Sequence, residues 1–153
     1  MGLKTIDSPL GPLALTSFAG ALVALDWGRA SREEPDPVLD DAARQLDAYF
    51  AGRGMGFTVP LRPAGTAFRQ RVWAAMQAIP YARTATYGDI ARALVSAPRA
   101  VGGACGANPL PIVIPCHRVV GSAGPGGYSG SGGLDTKAWL LAFERRHDGP
   151  APD

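Results

Sequence analysis

The sequence predicts an α/β chain of the α+β kind, with a small N-terminal sheet-plus-helix part followed by a mainly helical part. Three observations carry this. Short apolar runs at residues 3–7, 13–17 and 22–27 are split by Ser8-Pro9, Gly11-Pro12 and Ala19-Gly20, as in a meander of hairpins. Asp36-Pro37 then opens a helical stripe through Leu39, Ala42, Ala43, Leu46 and Phe50. Beyond residue 64 the apolar spacing is mostly helical.

The elements follow in order. Asp36 is the expected N-cap of the first helix, and Gly52 ends it. Residues 57–61 read as a further short strand, and Arg62-Pro63-Ala64-Gly65 as a boundary. The predicted domains are therefore 1–62 and 65–146, with a frayed tail at 147–153. Thr66 caps a second helix whose stripe is Phe68, Val72, Met76 and Ile79, stopped by Pro80. Thr86 to Asp89 fits a capping box. A tight turn at Ser96-Ala97-Pro98 leads into a helix running to about residue 107. Two short helices joined this way are the layout of a helix-turn-helix. Residues 110–114 and 116–120 read as β-rich, 121–133 as a Gly/Ser loop, and Asp135 as the cap of a last helix.

With 153 residues, 46% apolar and 18% charged, the composition is globular rather than disordered. No apolar run is long enough to cross a bilayer. Residues 1–16 carry Lys4, an early Asp7 and two Pro breaks, so no secretory leader is expected and the chain reads as cytoplasmic. Charge is unevenly divided: residues 1–64 hold six basic and eight acidic side chains, residues 65–153 nine and five. A basic second half fits contact with a phosphate backbone. Cys105 and Cys116 are too few for a disulfide framework, and with His117 and His147 they offer no zinc spacing, so no metal and no cofactor are expected.

Two segments call for explanation. Cys116 stands in Pro115-Cys116-His117-Arg118-Val119-Val120, either as a small buried hydrophobe or as a thiol activated by a neighbouring base. On an extended backbone Cys116 and His117 point to opposite faces, so a thiol–imidazole relay requires a turn at Cys116 or a bridging water. The second segment is Arg99-Ala100-Val101-Gly102-Gly103-Ala104-Cys105-Gly106-Ala107-Asn108. Each Gly costs a helix about 0.8–1.0 kcal/mol relative to Ala. Tight packing on a neighbouring helix, a loop, or approach to a DNA minor groove about 6 Å wide would each account for them.

Ile114-Pro115-Cys116-His117-Arg118-Val119-Val120 resembles the active-site signature of the O6-alkylguanine-DNA alkyltransferases. The similarity extends to Arg99-Ala100-Val101-Gly102-Gly103, Asn108-Pro109, Thr86-Tyr87-Gly88 and Gly127-Tyr128-Ser129-Gly130, and to the last helix through Glu144. The resemblance implies a ribonuclease H-like N-terminal domain and a winged helix-turn-helix domain carrying the reactive cysteine. It implies an enzyme that flips O6-alkylguanine, or O4-alkylthymine, out of double-stranded DNA through the minor groove and takes the alkyl group irreversibly onto Cys116. His117 would accept the thiol proton through a water, Glu144 would orient His117, and Asn108 would hold the nearby turn. Arg99 would fill the vacated stack, with Ala100 and Gly102 on the helix face against the groove. Tyr87, Val119, Tyr128 and Ser129 would contact the flipped nucleotide. A monomer acting once, away from membranes, is expected.

The turn before Pro98 is shorter than usual in that family and the loop after Tyr128 longer, which predicts a looser loop able to admit bulkier alkyl groups. Three rivals differ in class. A non-catalytic alkyltransferase-like lesion-binding protein carries Trp at the acceptor position, where this chain has Cys116. A cysteine hydrolase needs no Arg99 segment, and a plain helix-turn-helix regulator leaves residues 115–120 without a purpose.

Overall fold

The computed structural model describes residues 1–54, 56–124, 126–127 and 133–148. It opens with strands β1 (Gly2–Ile6), β2 (Leu13–Phe18) and β3 (Ala21–Trp27), paired antiparallel in that order. Ala19 and Gly20 both have positive φ (49° and 79°), the backbone of a two-residue hairpin loop that matches strand twist. Helix α1 (Pro37–Phe50) lies over the sheet and buries Leu39, Ala42, Ala43 and Leu46 against Leu13, Leu15, Leu22 and Leu25. Its cap is the expected one: Asp36 accepts from the Val38 amide, with Pro37 at the first position.

The second part contains α2 (Ala67–Gln77), β4 (Ala85–Thr86), α3 (Tyr87–Leu94), α4 (Pro98–Gly106), a single 3₁₀ turn (Cys116–Arg118), β5 (Val119–Val120) and α5 (Leu134–Arg146). Thr66 caps α2, and Thr86 with Asp89 forms the capping box of α3. Helices α3 and α4 are the helix-turn-helix. Their turn passes through Val95 at φ 53°, and Ser96 N–H closes it onto Ala91 O at 2.8 Å. The Trp73 indole donates to Ala104 O at 2.8 Å and so pins α4 to α2 from the buried side. Among the described residues no helix is long and apolar enough to cross a membrane.

Five expectations are corrected. Residues 57–61 form no strand: Pro60 has no N–H to donate, and only an isolated bridge of Leu61 to Leu22 survives. Residues 110–114 form turns rather than a strand, with Ile112 at φ 72° in their midst. Residues 116–118 are the 3₁₀ turn, which leaves only Val119 and Val120 extended, parallel to Ala85 and Thr86. Gly133, not Asp135, occupies the N-cap of α5, and Asp135 sits inside the first turn. Of the tail expected to be frayed at 147–153, His147 and Asp148 are held, and residues 149–153 lie outside the described residues. His147 Nδ1 bonds Phe143 O at 2.8 Å, and Asp148 pairs with Arg83 at 2.8 Å.

The two parts share a core. Leu25 N–H donates to Pro109 O at 2.9 Å, tying the edge of the sheet to the segment that leads into the 3₁₀ turn. Tyr49 and Phe50 of α1 meet Tyr81 and α5 residues Trp139 and Phe143 in an aromatic seam, with Tyr49 and Phe143 ring centres 5.7 Å apart.

Candidate active site

Cys116 is placed by three successive turns. Asn108 clamps residues 110–114 from both ends: its Oδ1 accepts from Leu110 N–H and its Nδ2 donates to Ile114 O, each at 2.9 Å. Within that clamp the buried Ile112 keeps its left-handed backbone, a conformation costing on the order of 1–3 kcal/mol for a β-branched residue. Pro115 (φ −79°, ψ 67°) then makes an inverse γ-turn, with Cys116 N–H on Ile114 O at 2.8 Å. The 3₁₀ turn begins at Cys116 itself. The turn required for Cys116 and His117 to cooperate is therefore present.

The thiol borders a cavity of about 500 Å³ lined also by Tyr87, Pro98, Gly102, Cys105, Gly106 and Gly127. Burial pushes the Cys116 thiol up from its ordinary value, against the opposing pull of the Asn108 amide and the Lys137 charge. The resting sulfur is thus a protonated thiol that needs a base. Cys105 shares the cavity wall, and burial pushes it up to about 12, with Cys116 nearby as the second cause.

His117 is fully buried, and its Nε2 lies 2.6 Å from Glu144 Oε2. Burial lowers its pKa, with Glu144 pulling the other way. Since Glu144 is an acceptor, the proton of the neutral ring belongs on Nε2, leaving Nδ1 as the basic atom. Nδ1 is buried and has no protein partner among the described residues. Burial alone would raise the Glu144 carboxyl, but bonds from His117 and Arg118 outweigh it and hold the group far below the usual carboxylate range. Arg118 donates Nε to Oε1 at 2.8 Å and Nη2 to Oε2 at 3.0 Å, Ala82 N–H reaches Oε1 at 3.1 Å, and the Tyr49 hydroxyl reaches Oε2 at 2.6 Å.

Tyr87 opens α3 at the end of β4, which β4–β5 pairing sets beside Val119. Its half-buried ring lines the cavity. Lys137 is fully buried, its Nζ 2.6 Å from Val119 O and 3.0 Å from Gly127 O, so α5 holds both the short strand and the start of the following loop. Arg99 and Ala100 are exposed in the first turn of α4, and no hydrogen bond or ion pair engages Arg99 among the described residues. A Cβ added at Gly103 or Gly106 would meet nothing within 4 Å, and one at Gly102 would meet only Tyr87 at 4.0 Å. Tight packing on another helix is therefore not what these glycines serve.

The structure brings Cys116, His117, Glu144 and Asn108 together, with Tyr87 and Gly102 on the cavity wall beside Cys116 and Val119 held next to β4 and Lys137. Tyr128 and Ser129 lie outside the described residues. Sequence reasoning missed Tyr49, Arg118 and Lys137 as parts of the site. Arg118 and Lys137 lay inside segments already singled out, but nothing in the sequence marks a charge as buried. Among the described residues no group of three or more His, Cys, Asp or Glu side chains is arranged to hold a metal ion.

A helix-turn-helix whose second helix borders a cavity, with a buried thiol backed by an imidazole–carboxylate pair, defines a thiol-dependent nucleophilic protein built around a nucleic-acid-binding motif. Residues 67–146 match the family model described as 6-O-methylguanine DNA methyltransferase, DNA binding domain, and residues 1–63 match its ribonuclease-like domain. The chain belongs to that family. A relative from Mycolicibacterium paratuberculosis named methylated-DNA–protein-cysteine methyltransferase is 44% identical, over 94% of this chain and 92% of its own. One of the same name from Methanosarcina acetivorans is 42% identical, over 90% and 94%. The crystal structure of the Mycobacterium tuberculosis O6-methylguanine methyltransferase superposes with a TM-score of 0.86 at 43% identity, covering 99% of this chain and 96% of that one. A Mycobacterium tuberculosis OGT solved in complex with DNA gives 0.86 at 42% identity, covering 96% and 94%.

Proposed function

We propose that this protein repairs O6-alkylguanine in double-stranded DNA by moving the alkyl group onto Cys116. The observation that carries this reading is a buried His117–Glu144 pair, with its Nδ1 unpartnered among the described residues, directly after Cys116 at the wall of a cavity bordered by α4.

A base in the duplex stack cannot reach a buried thiol, so the nucleotide must be extruded into the cavity. Arg99 would fill the vacated stack. The open glycine face of α4, with Ala100 and Gly102, would lie in the minor groove, where side-chain-free backbone approaches closely. Tyr87 would contact the flipped nucleotide, and the Val119 peptide would read the base edge. Tyr128 and Ser129 would complete that contact. O4-alkylthymine is the second lesion this reading admits.

The Cys116 proton passes through a water to His117 Nδ1, and Glu144 stabilises the imidazolium that forms. The thiolate attacks the sp³ alkyl carbon, the S–C bond forms as the C–O6 bond breaks, and guanine leaves with the bonding pair as an anion that takes up a proton as His117 returns to its neutral form. A thioether has no acyl carbon for water to attack, so each molecule acts once. A monomer suffices, since the described residues contain every member of the relay, and the cytoplasmic placement expected from the sequence goes with a DNA substrate.

The test is a duplex with one O6-methylguanine inside a restriction site that cleaves only when repaired. One equivalent of protein should restore one equivalent of site, and Cys116→Ser should restore none. Turnover beyond one equivalent, or repair by Cys116→Ser, would sink the proposal.

A further inference from the structure

Tyr49 comes from the N-terminal part, 95 positions from Glu144 in the chain, yet its hydroxyl lies 2.6 Å from Glu144 Oε2 and both groups are buried. His117 Nε2 lies at the same 2.6 Å from the same oxygen. A carboxylate has about four lone-pair sites. Glu144 receives two bonds from Arg118 and one each from Ala82, His117 and Tyr49, so its accepting capacity is fully engaged. Oε2 is where the N-terminal domain and the imidazole compete for one acceptor.

We propose that Tyr49 is a positioning residue for alkyl transfer: its hydroxyl, sent across the seam between the two parts, fixes Oε2 and limits how strongly Glu144 draws on the His117 imidazole. The proposal rests on the reading of Cys116 as acceptor and His117 as its base. The ring of Tyr49 already has packing partners in Phe50, Phe57, Tyr81 and Phe143. A phenylalanine would supply that packing equally well. The hydroxyl serves Glu144 instead.

Burial, and then the Glu144 charge, push the Tyr49 hydroxyl far above its ordinary value, so it keeps its proton and acts as a fixed donor that relays none. The charged and titratable groups facing the pair are His117 and Arg118 from the 3₁₀ turn, Tyr81 after α2 and Lys137 from α5; Asp148, beyond Tyr81, is the next carboxylate. Arg118 and Lys137 oppose protonation of His117, whereas Glu144 favours it. A donor removed from Oε2 leaves more of the carboxylate's charge for His117 and stabilises the imidazolium before reaction. As pH falls, the neutral ring needed as base then survives only down to a higher pH.

The experiment compares wild type with Tyr49→Phe in single-turnover methyl transfer from an O6-methylguanine duplex, as a function of pH. The expected result is a rate about tenfold lower, about the size of losing one hydrogen bond to a charged group, and an acid limb moved to higher pH. Affinity for unmodified duplex should not change. Phe50→Leu, which loosens the same seam without touching Glu144, should lower the melting temperature and leave the acid limb in place. Should Tyr49→Phe fail to fold, 3-fluorotyrosine at position 49, a stronger donor of nearly the same shape, should move the limb the opposite way. A Tyr49→Phe or fluorotyrosine profile superimposable on wild type, or the same shift in Phe50→Leu, overturns this proposal alone. A wild type that leaves Cys116 unalkylated overturns the functional reading with it.

Discussion

The Arg118 guanidinium and the Glu144 carboxylate meet side on, Nε to Oε1 at 2.8 Å and Nη2 to Oε2 at 3.0 Å, in a pair closed off from solvent. Arg118 Nη1 is anchored in turn on Ile79 O at 2.9 Å. Arg118 therefore makes Glu144 affordable as a buried anion, and Glu144 then serves His117.

Removing one member of such a pair leaves an uncompensated buried charge. Arg118→Met should lose about 3–5 kcal/mol of stability in urea unfolding. The double variant Arg118→Met with Glu144→Gln should recover part of that loss while transferring methyl groups poorly. Equal losses in the single and double variants would mean that the pair is not the source.

Stability should fall with acid in two stages. His117 titrates below its ordinary 6.5 in the folded state because burial disfavours the imidazolium. As pH falls below 6.5 the unfolded chain binds a proton that the folded chain refuses, and stability declines. Glu144 titrates far below its ordinary 4.5, so its contribution is complete above 4.5 and is lost as pH falls further. The urea midpoint should be flat from pH 8 to about 6.5, decline below that, and steepen below about 4.5. Glu144→Gln should shrink the steep segment, leaving the smaller share that the lowered carboxyls of Asp36 and Asp89 contribute. A wild-type midpoint that does not move between pH 7 and 4 would contradict both assignments.

The open glycines of α4 separate folding from DNA binding. Gly103→Ala should raise stability by about 0.8–1.0 kcal/mol, because the added methyl meets nothing and helix propensity improves. Gly103→Leu should also fold, yet lose affinity for duplex DNA. Arg99→Ala should slow repair of the lesion in duplex while leaving reaction with the free base O6-methylguanine unchanged. Equal slowing on both substrates would place Arg99 in folding or chemistry rather than in extrusion.

What the sequence revealed was local chemistry. The Asp36-Pro37 cap, the Thr66 cap and the Thr86–Asp89 box each act within a few residues, and each formed as read. The segment at 116–120 misled because β-branched neighbours suggested a strand, while Pro115 and the Asn108 clamp impose turns that only tertiary structure reveals. Residues 57–61 misled in the same way, since Pro60 removes a ladder donor from an otherwise apolar run. Tyr49 is not among the stripe residues read from the sequence, which name its neighbour Phe50. Its partner lies at the far end of the chain, and no periodicity signals a contact of that range. Lys137 was hidden for a related reason: a lysine in a helix with exposed Arg145 and Arg146 gives no sign that it alone is buried.

The central claim is that Cys116, and not the neighbouring Cys105, is the atom that takes the alkyl group. The direct measurement is peptide mass analysis after incubation with a duplex carrying one O6-methylguanine. The account predicts one added methylene on the peptide containing Cys116, saturating at one per protein, with the Cys105 peptide unchanged. A label on Cys105, or an unmodified protein that nonetheless holds the lesion tightly, would contradict it.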